Sequence, residues 1–171
     1  IVIRNGKIIY ERYNKNRKIT SDTTLNGMST AKSATASVIG TLFCQRRIKS
    51  LNDSAKIYSS FLAKTPYAEV KIKNILQMTS GVSPAGPADE RKLIATVIGL
   101  EPFSRKGSVK NGVELYKIAA TDQGKRYNYH QTDPLVLSLI SLAITSEPLS
   151  HTFSKEVYSK FSKAGRLHWS S

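Results

Sequence analysis

The sequence predicts an α/β (α+β) chain, one β-hairpin followed by mostly helix. Three observations predict it. Asn5-Gly6 stands between two β-rich runs, Ile1-Val2-Ile3 and Lys7-Ile8-Ile9-Tyr10. Asn-Gly is the dipeptide a tight type I′ turn prefers, because both central residues need positive φ. From about Ser29 onward, apolar residues recur at spacings of three and four, the period of a helix face. Asp133-Pro134 then offers a capping acid followed by proline at the first helical position.

The elements follow in order. Residues 1–13 read as the hairpin, and the polar stretch 14–27 as a loop. Ala31, Ala34, Val38, Ile39, Leu42 and Phe43 mark one helix from about Ser29 to Arg46, with Arg46, Arg47 and Lys49 suited to its negative C-terminal end. That helix puts Cys44 on its apolar face, as a core residue. Leu51-Asn52-Asp53 predicts a short helix to about Leu62, with Asp53 as cap. Val70 to Met78 is another, stopped by Thr79-Ser80-Gly81. Pro84-Ala85-Gly86-Pro87 is a turn, Asp89-Glu90 opens a helix to about Leu100, and Pro102 to Gly107 is a loop. Ser108 to Ala120 is helical in pattern, and Gly124 to Gln131 is irregular. The Asp133 helix carries Leu135, Leu137, Leu139, Ile140 and Leu142, and Ser150 caps a last helix to about Phe161.

Composition narrows the function. The 171 residues suit one domain or a large piece of one, with 26 basic and 12 acidic residues for a net charge of +14. A single cysteine excludes a disulfide framework and a multi-cysteine zinc site. No apolar run approaches the roughly 18–20 residues of a membrane span. His130, His151 and His168 are scattered, with neither the pairing of a helical metal site nor a persuasive Asp partner for a Ser-His-Asp triad. Neither glycine-rich phosphate motif occurs. No metal or cofactor is therefore expected. The charge could mark a polyanion binder, but the basic residues are spread along the chain and the densest cluster, Arg12 to Lys18, is a loop without a recognised motif.

The candidate chemistry starts at Ser29-Thr30-Ala31-Lys32, the sole S-x-x-K in the chain. Residues three apart on a helix share a face, about 5–6 Å between Cβ atoms, so the amine can sit against the hydroxyl. A serine hydroxyl is a poor nucleophile until something takes its proton. A lysine can take it only where burial or a cationic neighbour lowers its pKa. Serine in the first turn also brings helix N–H groups toward developing negative charge. Small residues (Gly27, Ala31, Ser33 and Ala34) surround the pair.

Gly27-Met28-Ser29-Thr30-Ala31-Lys32-Ser33 resembles the nucleophile segment of the serine β-lactamase and penicillin-binding-protein superfamily. Further segments match in order: residues 2–11 the first hairpin of class C-like members, 48–53 the G-x-I-x-L-D-D stretch with Arg47 for its glycine, and 70–82 the V-T-I-R-H-L-L-x-M-T-S-G segment. Residues 124–133 are similar to G-x-x-F-x-Y-S-N-x-D, and Leu149 to Ser170 resembles the following stretch that ends in Trp-Ser. The branch most similar is that of the esterases and 6-aminohexanoate-dimer hydrolases. The resemblance implies a β-lactamase-like antiparallel sheet flanked by helices, plus a helical region. Residues 1–60 would hold the hairpin and nucleophile helix, 61–150 the helical region, and 151–171 a helix leading back toward further strands.

Carried over by position, Ser29 would be the acylated nucleophile, Lys32 the general base or the group that keeps the base poised, and Tyr129 the proton shuttle to the leaving group. Tyr127 falls on the family's apolar position and reads as packing. Gln131 stands where Asn or Ser is usual and could hold the lysine or the substrate amide; His130 beside Tyr129 is a second candidate substrate contact. The third motif, K-[ST]-G or H-x-G on a strand, is absent, and Lys106-Gly107-Ser108 matches neither its position nor its spacing. The expectation is a chain that is a piece of something longer, stopping short of that strand and of its oxyanion-hole N–H, and so hydrolysing poorly alone. The implied function is a serine hydrolase acting on a small amide, ester or β-lactam-type molecule, in a bacterial periplasm or outside the cell, with no nucleic acid. The alternatives are a protein that kept this fold without the chemistry, and a basic polyanion-binding module.

Overall fold

The computed structural model describes residues 1–83, 90–98, 107–119 and 122–160. Strands β1 (Val2–Arg4) and β2 (Lys7–Tyr10) form the hairpin, with Arg4 opposite Lys7 and an irregular register between Val2 and Ile3. Asn5 and Gly6 both take positive φ, 49° and 72°, as a type I′ turn requires. Ile3, Ile8 and Ile9 are all exposed, so nothing among the described residues covers either face.

Helix α1 (Ala31–Cys44) follows a 3₁₀ turn at Met28–Thr30. Its buried residues Thr35, Val38, Ile39 and Leu42 lie on one stripe. Cys44 is exposed, not core. Two residues beyond Leu42 is about 200° around the helix, off the buried stripe. Arg46 takes a left-handed φ of 58° and ends the helix, with Arg47 N–H bonded to Leu42 O at 2.9 Å. The Arg47 guanidinium reaches not its own helix end but the carbonyl of Ile144.

Residues 51–62 are not one α-helix. They form 3₁₀ turns at Ala55–Ile57 and Leu62–Lys64. The reason is competition for backbone donors: Ala55 N–H bonds to Val70 O at 2.9 Å and Lys56 N–H to Ala68 O at 3.2 Å. Asp53 caps no α-helix; its carboxylate accepts from Ser50 N–H and the Tyr58 hydroxyl. Helix α2 (Ile72–Leu76) starts by donating Ile72 N–H to Asp53 O and Lys73 N–H to Leu51 O. These two contacts satisfy orphan donors of its first turn.

Helices α3 (Glu90–Ile98) and α4 (Val109–Val113) pack together. A side chain on Gly112 would place Cβ 2.6 Å from Val97 Cγ2, so glycine permits the approach. The helix predicted over 108–120 is only these five residues with Ser108 as cap, because Ile118 leaves it to pair with Ser83. The predicted turn at 84–87, the helix start at Asp89 and nearly all of the 102–107 loop lie outside the described residues.

Helix α5 (Thr132–Thr145) begins one residue before Asp133. Asp133 is not its cap but a fully buried side chain. Helix α6 (Leu149–Glu156) starts after Pro148, which takes the capping position predicted for Ser150. A 3₁₀ turn at Tyr158–Lys160 follows, and the rest of the predicted last helix, like the Trp-Ser stretch, lies outside the described residues. Helix α1 packs on α5 and α6. Val38, Ile39 and Leu42 share one core with Leu62, Tyr67, Ile75, Val113, Val136 and Ile140. Each fully buried Ile or Leu contributes about 1.5–3 kcal/mol, so this core holds α1 against α5.

Candidate active site

Ser29 sits in the 3₁₀ turn that leads into α1, and Lys32 in the first turn of that helix. Met28 takes a positive φ of 44°, a conformation non-glycine residues rarely adopt, just before the serine. Asn26 Oδ1 accepts from the Met28 N–H at 2.9 Å, and Gly27 O accepts from the Thr30 N–H at 2.9 Å. The serine is therefore held by local hydrogen bonds on both sides.

Tyr129 arrives from a different part of the chain. Its segment is tied to the end of α2: Gly124 N–H bonds to Thr79 O at 2.7 Å, and Asn128 N–H bonds to Met78 O at 2.9 Å. Gly124, at φ 81°, lies against the Asn74 side chain. Asn74 in turn donates to Gln123 Oε1 at 3.0 Å. The core packing of α1 on α5 then brings this segment over Ser29.

The result is a contact set around one oxygen. The Tyr129 hydroxyl donates to Ser29 Oγ at 2.7 Å. Lys32 Nζ approaches the same oxygen at 3.4 Å and donates to Gln131 Oε1 at 2.6 Å. Lys32 Nζ also lies 4.9 Å from the Tyr129 ring centroid, within the distance of a cation–π contact. Ser29 and Tyr129 are both exposed, so the oxygen is open to a small molecule. Thus Ser29, Lys32, Tyr129 and Gln131 come together. Tyr127 is exposed at 64% and does not pack as predicted.

His130 points the other way. It is buried, stacks on Tyr116 with ring centroids 5.3 Å apart, and lies 3.4 Å from Asp133 Oδ1. Burial pushes its pKa down to about 4. Burial also pushes the Asp133 carboxyl up to about 7, partly offset by Ser80 and Tyr67. The Tyr67 hydroxyl donates to Asp133 Oδ1 at 2.9 Å. Sequence reasoning missed this cluster. Its one signal was the spacing of His130 and Asp133, three apart across a helix start. Among the described residues, no three His, Cys, Asp or Glu side chains group to hold a metal ion. No described helix is long and apolar enough to cross a membrane.

A hydroxyl lies beside an amine and a phenol at the start of a helix packed in a helical core, and comparison with known proteins gives the class to which this fold belongs. The Beta-lactamase family model matches residues 1–168, and the chain belongs to that family. No curated protein matches the chain. Among solved structures, it is similar to a candidate 6-aminohexanoate-dimer hydrolase from Bacillus anthracis, with TM-score 0.74 and 20% identity over 91% of this chain and 42% of that one. It is similar to a D-stereospecific amidohydrolase from Streptomyces sp., with TM-score 0.61 and 18% identity over 77% of this chain and 40% of that one. A family VIII carboxylesterase matches with TM-score 0.59 and 19% identity, over 78% of this chain and 34% of that one. The likeness is one of fold, β-lactamase-like as the sequence implied, and the chain spans less than half the length of each of these structures.

Proposed function

We propose that the protein is a serine hydrolase that forms an acyl-enzyme on Ser29 and acts on a small amide, ester or β-lactam-type molecule. The observation that carries this reading is the convergence of Tyr129 and Lys32 on Ser29 Oγ. In the acylation step, Oγ bonds to the substrate carbonyl carbon and its proton passes to Lys32, or to Tyr129 with Lys32 keeping it poised. The bond to the leaving group breaks, and Tyr129 gives that group a proton. Water then attacks the acyl carbon and gives a proton to Tyr129, the bond from the acyl carbon to Oγ breaks, and Oγ recovers the proton held by the Lys32–Tyr129 pair. The helix start beneath Ser29 supplies dipole stabilisation for the developing oxyanion.

Gln131 supports this reading over that of a fold without chemistry. Its longer side chain still accepts from Lys32 at 2.6 Å, as a lysine-orienting amide should. The reading includes a periplasmic or secreted location in a bacterium, which cell fractionation checks. Labelling with a fluorophosphonate tests the chemistry. A covalent adduct that disappears in Ser29→Ala is the expected result. No adduct, or one that survives the substitution, overturns it.

A further inference from the structure

Behind the site lies a polar cluster that the mechanism does not use. Asp133 is fully buried at the start of α5. Three separate parts of the chain converge on its carboxyl. Tyr67, from the stretch before α2, donates to Oδ1 at 2.9 Å. His130 approaches the same oxygen at 3.4 Å. Ser80, after α2, lies beside the carboxyl and favours its ionised form, though its buried hydroxyl makes no hydrogen bond of normal geometry there. Tyr116, after α4, stacks on the far side of His130. Among the described residues, the titratable groups bearing on Asp133 are Tyr67 and His130, with Tyr116 acting through them.

His130 is flanked in sequence by the two residues that reach Ser29 and Lys32. Tyr129 precedes it and Gln131 follows it. His130 is buried while Tyr129 beside it is exposed, so the anchored ring fixes where its two neighbours meet the serine and lysine. Resting on the reading of Ser29 as nucleophile, we propose that His130, Asp133 and Tyr67 are positioning residues for that site: they clamp the 129–131 segment from behind, and the protonation state of Asp133 sets how firmly the clamp holds.

The chemistry of the clamp follows from burial. A protonated Asp133 and a neutral His130 form a contact of neutral partners, not an ion pair. Burial and Asp133 hold the Tyr67 phenol well above its ordinary pKa, so it stays a donor. Ionising Asp133, as pH rises through about 7, places a charge in a site with no cation among these partners. Such a charge is costly, and it draws its hydrogen-bond donors toward it. The neighbour that must move to meet the charge is His130, whose Nε2 stands 3.4 Å from Oδ1, and with it the segment bearing Tyr129.

The test follows Ser29 acylation by a fluorophosphonate from pH 5 to 9. Asp133→Asn keeps the shape of the protonated acid and cannot ionise. The expected result is a ratio of variant to wild-type rate that rises at least fivefold as pH passes about 7, with hydrolysis assays showing the effect in kcat and KM within about threefold. Tyr67→Phe removes a hydrogen bond that lowers the Asp133 pKa, so it moves the step to higher pH. A flat ratio overturns the proposal. Should Asp133→Asn fail to fold, Tyr67→Phe decides alone, and an unmoved step overturns it. Absence of labelling in the wild type overturns the hydrolase reading instead. In that event ¹³C-tyrosine NMR decides: a step in the Tyr129 ring shift near pH 7 supports the clamp, and no step overturns it.

Discussion

The Tyr129 hydroxyl donates to Ser29 Oγ at 2.7 Å across 100 positions of sequence. Tyr129 is half exposed and adds nothing to the core, so its removal separates chemistry from stability. Tyr129→Phe is expected to lower the Ser29 acylation rate by about 10²–10⁴, the usual worth of a positioned proton-transfer group. The melting temperature should stay within about 2 °C, as for a surface substitution. Stopped-flow labelling and a thermal melt on the same preparation check both halves.

Lys32 and Gln131 make the second relationship, at 2.6 Å. Gln131→Ala leaves the amine without that acceptor. The loss of such a hydrogen bond costs about 1–3 kcal/mol, which is roughly 5- to 150-fold in rate if the bond persists in the transition state. Gln131→Glu keeps the acceptor oxygen and should recover more of the rate than Gln131→Ala. Equal rates for wild type and Gln131→Ala would show that the amide orients nothing.

Asp133 and His130 make a pH prediction for stability. The folded pKa of Asp133 is raised to about 7 from 3.8, so its contribution is fully present below about 3.8 and is lost as pH rises through about 7. The folded pKa of His130 is lowered to about 4 from 6.5, so its contribution is present above about 6.5 and is lost as pH falls through about 4. Between these limits the two slopes have opposite sign and cancel. Urea melts of the wild type should show little change from these two groups between pH 4.5 and 6.5. Asp133→Asn exposes the His130 slope, and stability then rises with pH. His130→Gln exposes the Asp133 slope, and stability then falls with pH. Each slope has a ceiling of about 1.4 kcal/mol per pH unit.

The exposed Cys44 and the buried Leu42 give the sharpest contrast along one helix. Leu42→Ala should cost about 2–5 kcal/mol, as a cavity in a packed core does. Cys44→Ser should change stability by less than about 0.5 kcal/mol. The native thiol should react with a disulfide reagent at close to the rate of a free cysteine. Protection of Cys44 in the folded protein would contradict its exposure.

Some of the fold could be read locally, and some could not. Asn5-Gly6 predicts its hairpin because the turn is a property of two residues and the strands beside them. The stretch 51–62 misleads because its local pattern is helical while its donors are claimed by carbonyls at 68 and 70. Cys44 misleads because helix period alone does not say which stripe the rest of the chain covers.

The sequence by itself determined the S-x-x-K pair. Ser29 and Lys32 lie three apart across the 3₁₀ turn that opens α1, and that local spacing puts them on one face. The motif order also determined the family. Only the tertiary structure decided that Tyr129 and Gln131 reach this pair and that His130 turns inward to Asp133. Contacts between residues about 100 positions apart depend on the carbonyls of Met78 and Thr79, just after α2, closing on the 124–128 segment, and on how α5 packs against α1. Those are long-range choices of hydrogen bonding and burial, and no local spacing encodes them.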